Sequence, residues 1–146
     1  LLLTTQLESV HLTTILQLLQ KKVSETPWKD TFADFNVEDG YVPVSSIEEL
    51  ITLLKNYKFK KADIISEERY CTSQHNVSAY LEHEFYAFAP FGSLSAEQKK
   101  QLCDSVAQEY THYFPAKDGI IALPNTVIVK AQRHLYSPLA GIGWRH

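Results

Sequence analysis

The sequence predicts an α/β fold, and three observations carry that prediction. Thr126 to Arg133 alternates, with Val127, Val129 and Ala131 on one side and Ile128, Lys130 and Gln132 on the other. A period of two, rich in β-branched residues, is a half-buried strand. Leu1 to Thr5 is a short continuous apolar run, the form a strand takes when a parallel sheet covers both its faces. Between them lie segments with apolar residues three and four positions apart and Ser or Thr caps at their starts, the pattern of helices burying one face.

Taken in order, Ser9 caps a first helix with Leu12, Ile15, Leu16, Leu19 and Val23 on one face; Lys21, Lys22 and Glu25 read as its solvated end. Thr26 as cap and Pro27 at the first helical position open a second helix. Trp28, Phe32 and Phe35 follow at i, i+4 and i+7. The bland reading of that trio is a small aromatic core; the sharper one is a pocket wall. Residues 36–44 contain Gly40 and Pro43 and no period, so they read as a loop. Ser46 to Glu49 is a capping box opening a helix that buries Ile47, Leu50, Ile51 and Leu54 and ends near Asn56, where Lys55 and Lys58 suit the dipole.

A strand falls within Phe59 to Thr72, with Glu67, Glu68 and Arg69 pointing to a sheet edge at its end. Asn76 caps a helix carrying Val77, Tyr80, Leu81, Phe85 and Phe88, ended by Pro90 and Gly92. Ser95 to Gln98 is another capping box, for a helix burying Leu102, Cys103, Val106, Ala107 and Tyr110 and ending near Tyr113. Pro115 and Asp118-Gly119 mark a turn, Ile120 to Leu123 is a short apolar run, and Pro124-Asn125 punctuates before the last strand. The whole reads as part of one domain over residues 1–135, with a helical insertion at about 76–113 and a loose tail at 136–146.

Composition bounds the function. With 146 residues and a net charge of -3, the chain offers no electrostatic footprint for nucleic acid or an anionic membrane. No apolar run approaches the roughly 20 residues of a membrane helix. Cys71 and Cys103 are far apart and outside any CxxC, so both read as free buried thiols in a reducing compartment, the cytoplasm. The chain has no Met and opens directly on an apolar run, which reads as a piece of a longer protein. An uncovered edge on that run predicts self-association.

The chemistry-bearing residues are sparse in pattern. The six histidines form no HxxxH, no GxGxxG or Gly-Lys-Ser/Thr loop cradles a phosphate, and no GxSxG elbow is present. No metal site is expected. His83 between Glu82 and Glu84 is a candidate base, weighed against an ordinary solvated helix face.

The run Tyr110 to Gln132, YTHYFPAKDGIIALPNTVIVKAQ, resembles the C-terminal end of class I S-adenosylmethionine-dependent methyltransferases, most of all the small-acid group related to trans-aconitate methyltransferase. Leu1 to Thr5 resembles that family's fifth strand. SIEELITLLKNYKF, from Ser46 to Phe59, resembles its helix before the sixth strand, with Asn56-Tyr57-Lys58-Phe59 where Ala-Gly-Phe is usual. Tyr80 to Tyr113 resembles a lid-like helical insertion, and the likeness covers nearly the whole chain apart from its tail. The resemblance implies a partial Rossmann-like sheet made of the last three strands, with the final strand antiparallel and between the other two. It implies transfer of a methyl group from S-adenosylmethionine to a small molecule, with a carboxylic acid as the candidate. The family's Gly-rich turn and ribose-binding acid have no counterpart here, so these residues are the substrate-side half. Direct displacement at a sulfonium rests on positioning and needs no triad. Trp28, Phe32, Tyr41, Tyr86 and Phe88 are the candidate substrate contacts. The rival expectation is a non-catalytic α/β module that binds a ligand or partner through the same aromatic surface.

Overall fold

The alternating run becomes the middle strand of a three-stranded sheet. In the computed structural model, which describes residues 2–40, 44–68 and 71–133, the strands are β1 (Leu2–Gln6), β2 (Phe59–Glu68), β3 (Cys71–Ser73), β4 (Ile120–Ala122) and β5 (Thr126–Arg133). The helices are α1 (Val10–Lys22), α2 (Ile47–Asn56), α3 (Val77–Phe85), α4 (Ala89–Gly92) and α5 (Ala96–Tyr113). The fold is mixed α/β with two small antiparallel sheets, and the chain divides into two compact units. The sequence reading treats 1–135 as part of one domain.

The first unit comprises Leu1–Glu8, Val44–Arg69 and Asn125–His146. Its sheet has the order β1-β5-β2, with Thr4 opposite Ile128 and Ala62 opposite Ala131. Both outer strands run antiparallel to β5 and hence parallel to each other, the arrangement expected of the last strand. Val127, Val129 and Ala131 are buried while Lys130 and Gln132 are exposed, so the period of two does set the faces. α2 supplies Leu50 and Leu54 to the same buried cluster. Ser46 caps α2 by accepting from Glu49 N at 3.1 Å. The capping box closes one residue early: Glu49 Oε2 accepts from Ser45 N at 3.0 Å and Ser45 Oγ at 2.7 Å, because that residue offers two donors. These bonds hold the Glu49 carboxyl below its usual range.

The second unit comprises Ser9–Pro43 and Tyr70–Pro124. Leu19 and Val23, at the C-terminal end of α1, Leu81 and Phe85 on α3, Phe91 on α4, and Leu102, Val106 and Tyr110 on α5 form one core. On α1, Leu18 is buried and Leu16 only partly so. α5 starts on a complete capping box, Gln98 N donating to Ser95 Oγ and Ser95 N to Gln98 Oε1, each at 3.1 Å. Asp118 and Gly119 both have positive φ, 54° and 77°, and make the two-residue turn between Lys117 and Ile120. Asp-Gly suits that turn because glycine meets no Cβ clash at positive φ.

Two sequence expectations are corrected and a third is narrowed. A strand does fall within Phe59 to Thr72, as Phe59–Glu68, while Cys71–Ser73 pairs with Ile120–Ala122 in the second sheet. The reason lies in the partner: Glu68 faces Thr126, where β5 begins, so the ladder has nothing to continue on. The helix expected from Thr26 is a series of separate turns over residues 23–34. Trp28 N and Lys29 N donate to Glu25 O, Phe32 N to Trp28 O and Phe35 N to Phe32 O, without a continuous ladder. Asp30, Thr31, Phe32, Asp34, Phe35 and Asn36 are all weak helix formers. Finally, α3 stops at Phe85, and Pro90 lies in the first turn of α4 rather than ending α3. Phe88 is extended and breaks the helix, and Pro90 falls in the first turn, where its missing N–H has no partner to lose.

Both cysteines are free, but Cys71 is exposed and only Cys103 is buried. Pairing β3 with the short β4 leaves Cys71 outside any core. Among the described residues no helix is long and apolar enough to cross a membrane. The tail at 136–146 lies outside the described residues.

Candidate functional site

The turns over 23–34 and the α3–α4 connection meet, within the second unit, around an open cleft of ≈ 600 Å³. Its floor is aromatic. Phe32 and Phe35 stack edge to face with centroids 5.0 Å apart, and Phe35 and Phe88 do the same at 5.4 Å. Such T-shaped pairs favour a fixed arrangement of the rings beyond their area of contact. Ala33, Ala87, Ala89 and Pro90 extend the apolar lining, and Asp30, Thr31, Asp34, Asn36 and Asp39 form the polar part.

The walls are held from behind. Trp28 is buried, and its indole N–H donates to Gln98 O at 3.1 Å, tying the turns to the first turn of α5. Gln20 on α1 clamps the other end. Its Nε2 donates to Phe35 O at 3.2 Å, and its Oε1 accepts from Val37 N at 2.9 Å. Both halves of one amide are used, so the strip from Phe35 to Val37 is fixed in position and direction. Asn36 Oδ1 accepts from Glu38 N at 2.9 Å, which turns the chain toward Asp39.

The cleft has one sign of charge. Asp30, Asp34 and Asp39 line it, and among the described residues no Lys, Arg or His does. Among the described residues none of the three pairs with a cation. The ion pairs of this unit lie elsewhere, Lys21 and Lys22 on Glu109 and Lys100 on Asp104. Among the described residues no group of three His, Cys, Asp or Glu side chains could hold a metal ion.

Of the candidate contacts read from the sequence, the structure brings Phe32 and Phe88 together in this cleft. Trp28 stands behind it, in the core. Tyr86 lies outside the lining, 53% exposed, with its ring 5.0 Å from Phe91 and Lys99 Nζ 5.0 Å from its own centroid. Tyr41 lies outside the described residues. His83 is exposed on α3 and does not line the cleft. Sequence reasoning missed the rim aspartates and Gln20. The available signal was the interleaving of Asp30 and Asp34 with Phe32 and Phe35, which a solvated helix face would also show.

The polar groups deeper in this unit serve the core. Tyr110 is buried and donates its hydroxyl to Ala122 O at 2.6 Å; burial raises its pKa. Cys103 is pushed up to about 12, mainly by burial and then by the nearby Glu82 and Asp104 charges. A thiol so protonated is neither a nucleophile nor a metal ligand. Compared with known proteins, the chain matches no family model and no curated protein.

Proposed function

We propose that these residues form the substrate-side part of a class I S-adenosylmethionine-dependent methyltransferase acting on a small molecule. The observation that carries the reading is the strand order β1-β5-β2, with the last strand inserted antiparallel between two mutually parallel ones. The aromatic cleft is the candidate substrate site. S-adenosylmethionine is the cofactor of the whole protein on this reading, and the residues present do not fit it. β1 runs into α1 through Leu7, Glu8 and Ser9, and no described strand leads into a glycine-rich turn that would bring backbone N–H groups to the cofactor.

The second reading, a non-catalytic α/β module for a ligand or partner, is favoured by one observation: every described residue lining the cleft comes from a single unit. The test uses the complete product of the gene encoding these residues. Saturable calorimetric binding of S-adenosylmethionine, and label passing from its methyl group into a small-molecule fraction, are the results expected of the enzyme. Absence of both, with small molecules still bound, would favour the module. The 146-residue chain by itself is expected to show no micromolar cofactor binding. Such binding would sink the substrate-side assignment.

A further inference from the structure

We infer that residues 24–34 form a flap, hinged on α1 and latched by Trp28, that lifts as one unit while α1, α3 and α5 stay folded. The inference rests on how this stretch is attached and is independent of methyl transfer. Both of its ends are held by the last turns of α1. At its start, Ser24 N and Glu25 N donate to Lys21 O and Lys22 O at 3.3 and 3.0 Å. Just past its end, Gln20 Nε2 donates to Phe35 O and Gln20 Oε1 accepts from Val37 N. A surface segment whose two ends meet on one helix has the form of an Ω-loop, which moves without moving what it is joined to.

Within the flap the main-chain hydrogen bonds are local. Trp28 N and Lys29 N donate to Glu25 O and Phe32 N to Trp28 O, and among the described residues no main-chain bond joins the flap to α3, α4 or α5. Two buried side chains, Trp28 and Phe32, and the single bond from the Trp28 indole to Gln98 O hold it down. Residues 24–27, 29–31, 33 and 34 are exposed, yet each costs backbone entropy to hold in place. α5, by contrast, starts on a complete capping box and buries Leu102, Cys103, Val106, Ala107 and Tyr110. Uncovering two side chains takes less than uncovering that core, so the flap opens before the unit unfolds. Phe32 leaves with it. Phe35 stays, its carbonyl pinned by Gln20 and its ring against Phe88. Opening therefore parts the Phe32–Phe35 pair and extends the cleft into the space beneath Trp28. The floor with Phe32 4% and Phe88 9% exposed is the closed form of the site.

The experiment is native-state hydrogen exchange of the 146-residue chain, read in proton–nitrogen correlation spectra. The Trp28 indole N–H and the amides of Lys29 and Phe32 are expected to share one opening constant, roughly tenfold or more above that of Val106 on α5. Trp28→Phe keeps an aromatic ring and removes only the latch donor. It should speed exchange at Lys29 and Phe32 roughly three- to tenfold, as loss of one hydrogen bond gives, and leave Val37 and Val106 unchanged. Gln20→Ala, which suits a helix, should instead speed exchange at Val37, the hinge, and leave Val106 unchanged. Flap probes exchanging no faster than Val106, or with opening constants that differ among themselves by more than about tenfold, would overturn the proposal in the unaltered chain, whatever the variants do. An unchanged rate at Lys29 and Phe32 in Trp28→Phe, an unchanged rate at Val37 in Gln20→Ala, or acceleration of Val106 by the same factor in either, would overturn it too. None of these readouts involves S-adenosylmethionine, so their failure and that of the methyltransferase reading are distinct.

Discussion

Cys71 and Cys103 look alike in the sequence and behave as opposites in the fold. Cys103 is fully buried and its thiol is raised from 9.0 to about 12, whereas Cys71 sits exposed on β3. A disulfide reagent at pH near 8 is therefore expected to modify one thiol per native chain at Cys71, and both in urea. Modification of both in the native state at similar rates would show that Cys103 is not buried. The same shift carries a pH signature. Because the folded thiol has the higher pKa, its contribution to stability is fully present below about 9 and falls away as the pH climbs toward about 12. Cys103→Ala should flatten that alkaline limb.

At the scale of elements, α1 and α5 are joined by charge as well as by packing. Lys21 Nζ donates to Glu109 Oε1 at 3.1 Å. Lys22 Nζ stands 2.9 Å from the solvent-shielded Oε2, close enough for an ion pair but outside hydrogen-bond alignment. The sequence reading made Lys21 and Lys22 a solvated helix end; pairing them with a residue 88 positions beyond Lys21 is a tertiary event. Lys22, then Lys21, hold the Glu109 carboxyl below its usual value. Its folded pKa being the lower, the pair stabilises above the unfolded value of about 4.5 and is lost as the pH falls below it. Glu109→Gln is expected to cost about 1 kcal/mol or less at neutral pH, since the groups are partly exposed. It should also reduce the acid-side loss of stability in urea melts taken from pH 7 to pH 3. An unchanged acid limb would count against the pair.

For the molecule as a whole, the first unit's sheet has two unlike edges. β2 has the sequence FKKADIISEE, rich in the residue types that are common where strand addition is discouraged. β1, Leu2–Gln6, has the sequence LLTTQ and no charge, and among the described residues it is the outer strand of the order β1-β5-β2. An uncharged edge strand is a template for pairing with another chain. Sedimentation velocity of the 146-residue chain is therefore expected to show association that grows with concentration, and an Arg in place of Thr4 should weaken it. A concentration-independent monomer would remove this edge from consideration.

What the sequence determined by itself was local. The alternation of Val127, Val129 and Ala131 set the buried side of β5, Ser9, Ser46 and Ser95 marked three helix starts, and Asp118-Gly119 specified its turn. Each depends on backbone geometry and side chains within a few residues, so the period and the cap are enough. Tertiary structure decided the rest. Whether Cys71–Ser73 continued β2 or joined Ile120–Ala122 depended on where β5 began. Trp28 became a support rather than a wall because its indole N–H found Gln98 O, 70 positions away. The charge of the cleft arose because the chain brought Asp30, Asp34 and Asp39 around Phe32, Phe35 and Phe88, with no cation among the described residues lining the same space. Partners so distant in sequence leave no periodic trace, because periodicity records one element's own geometry and not what it meets.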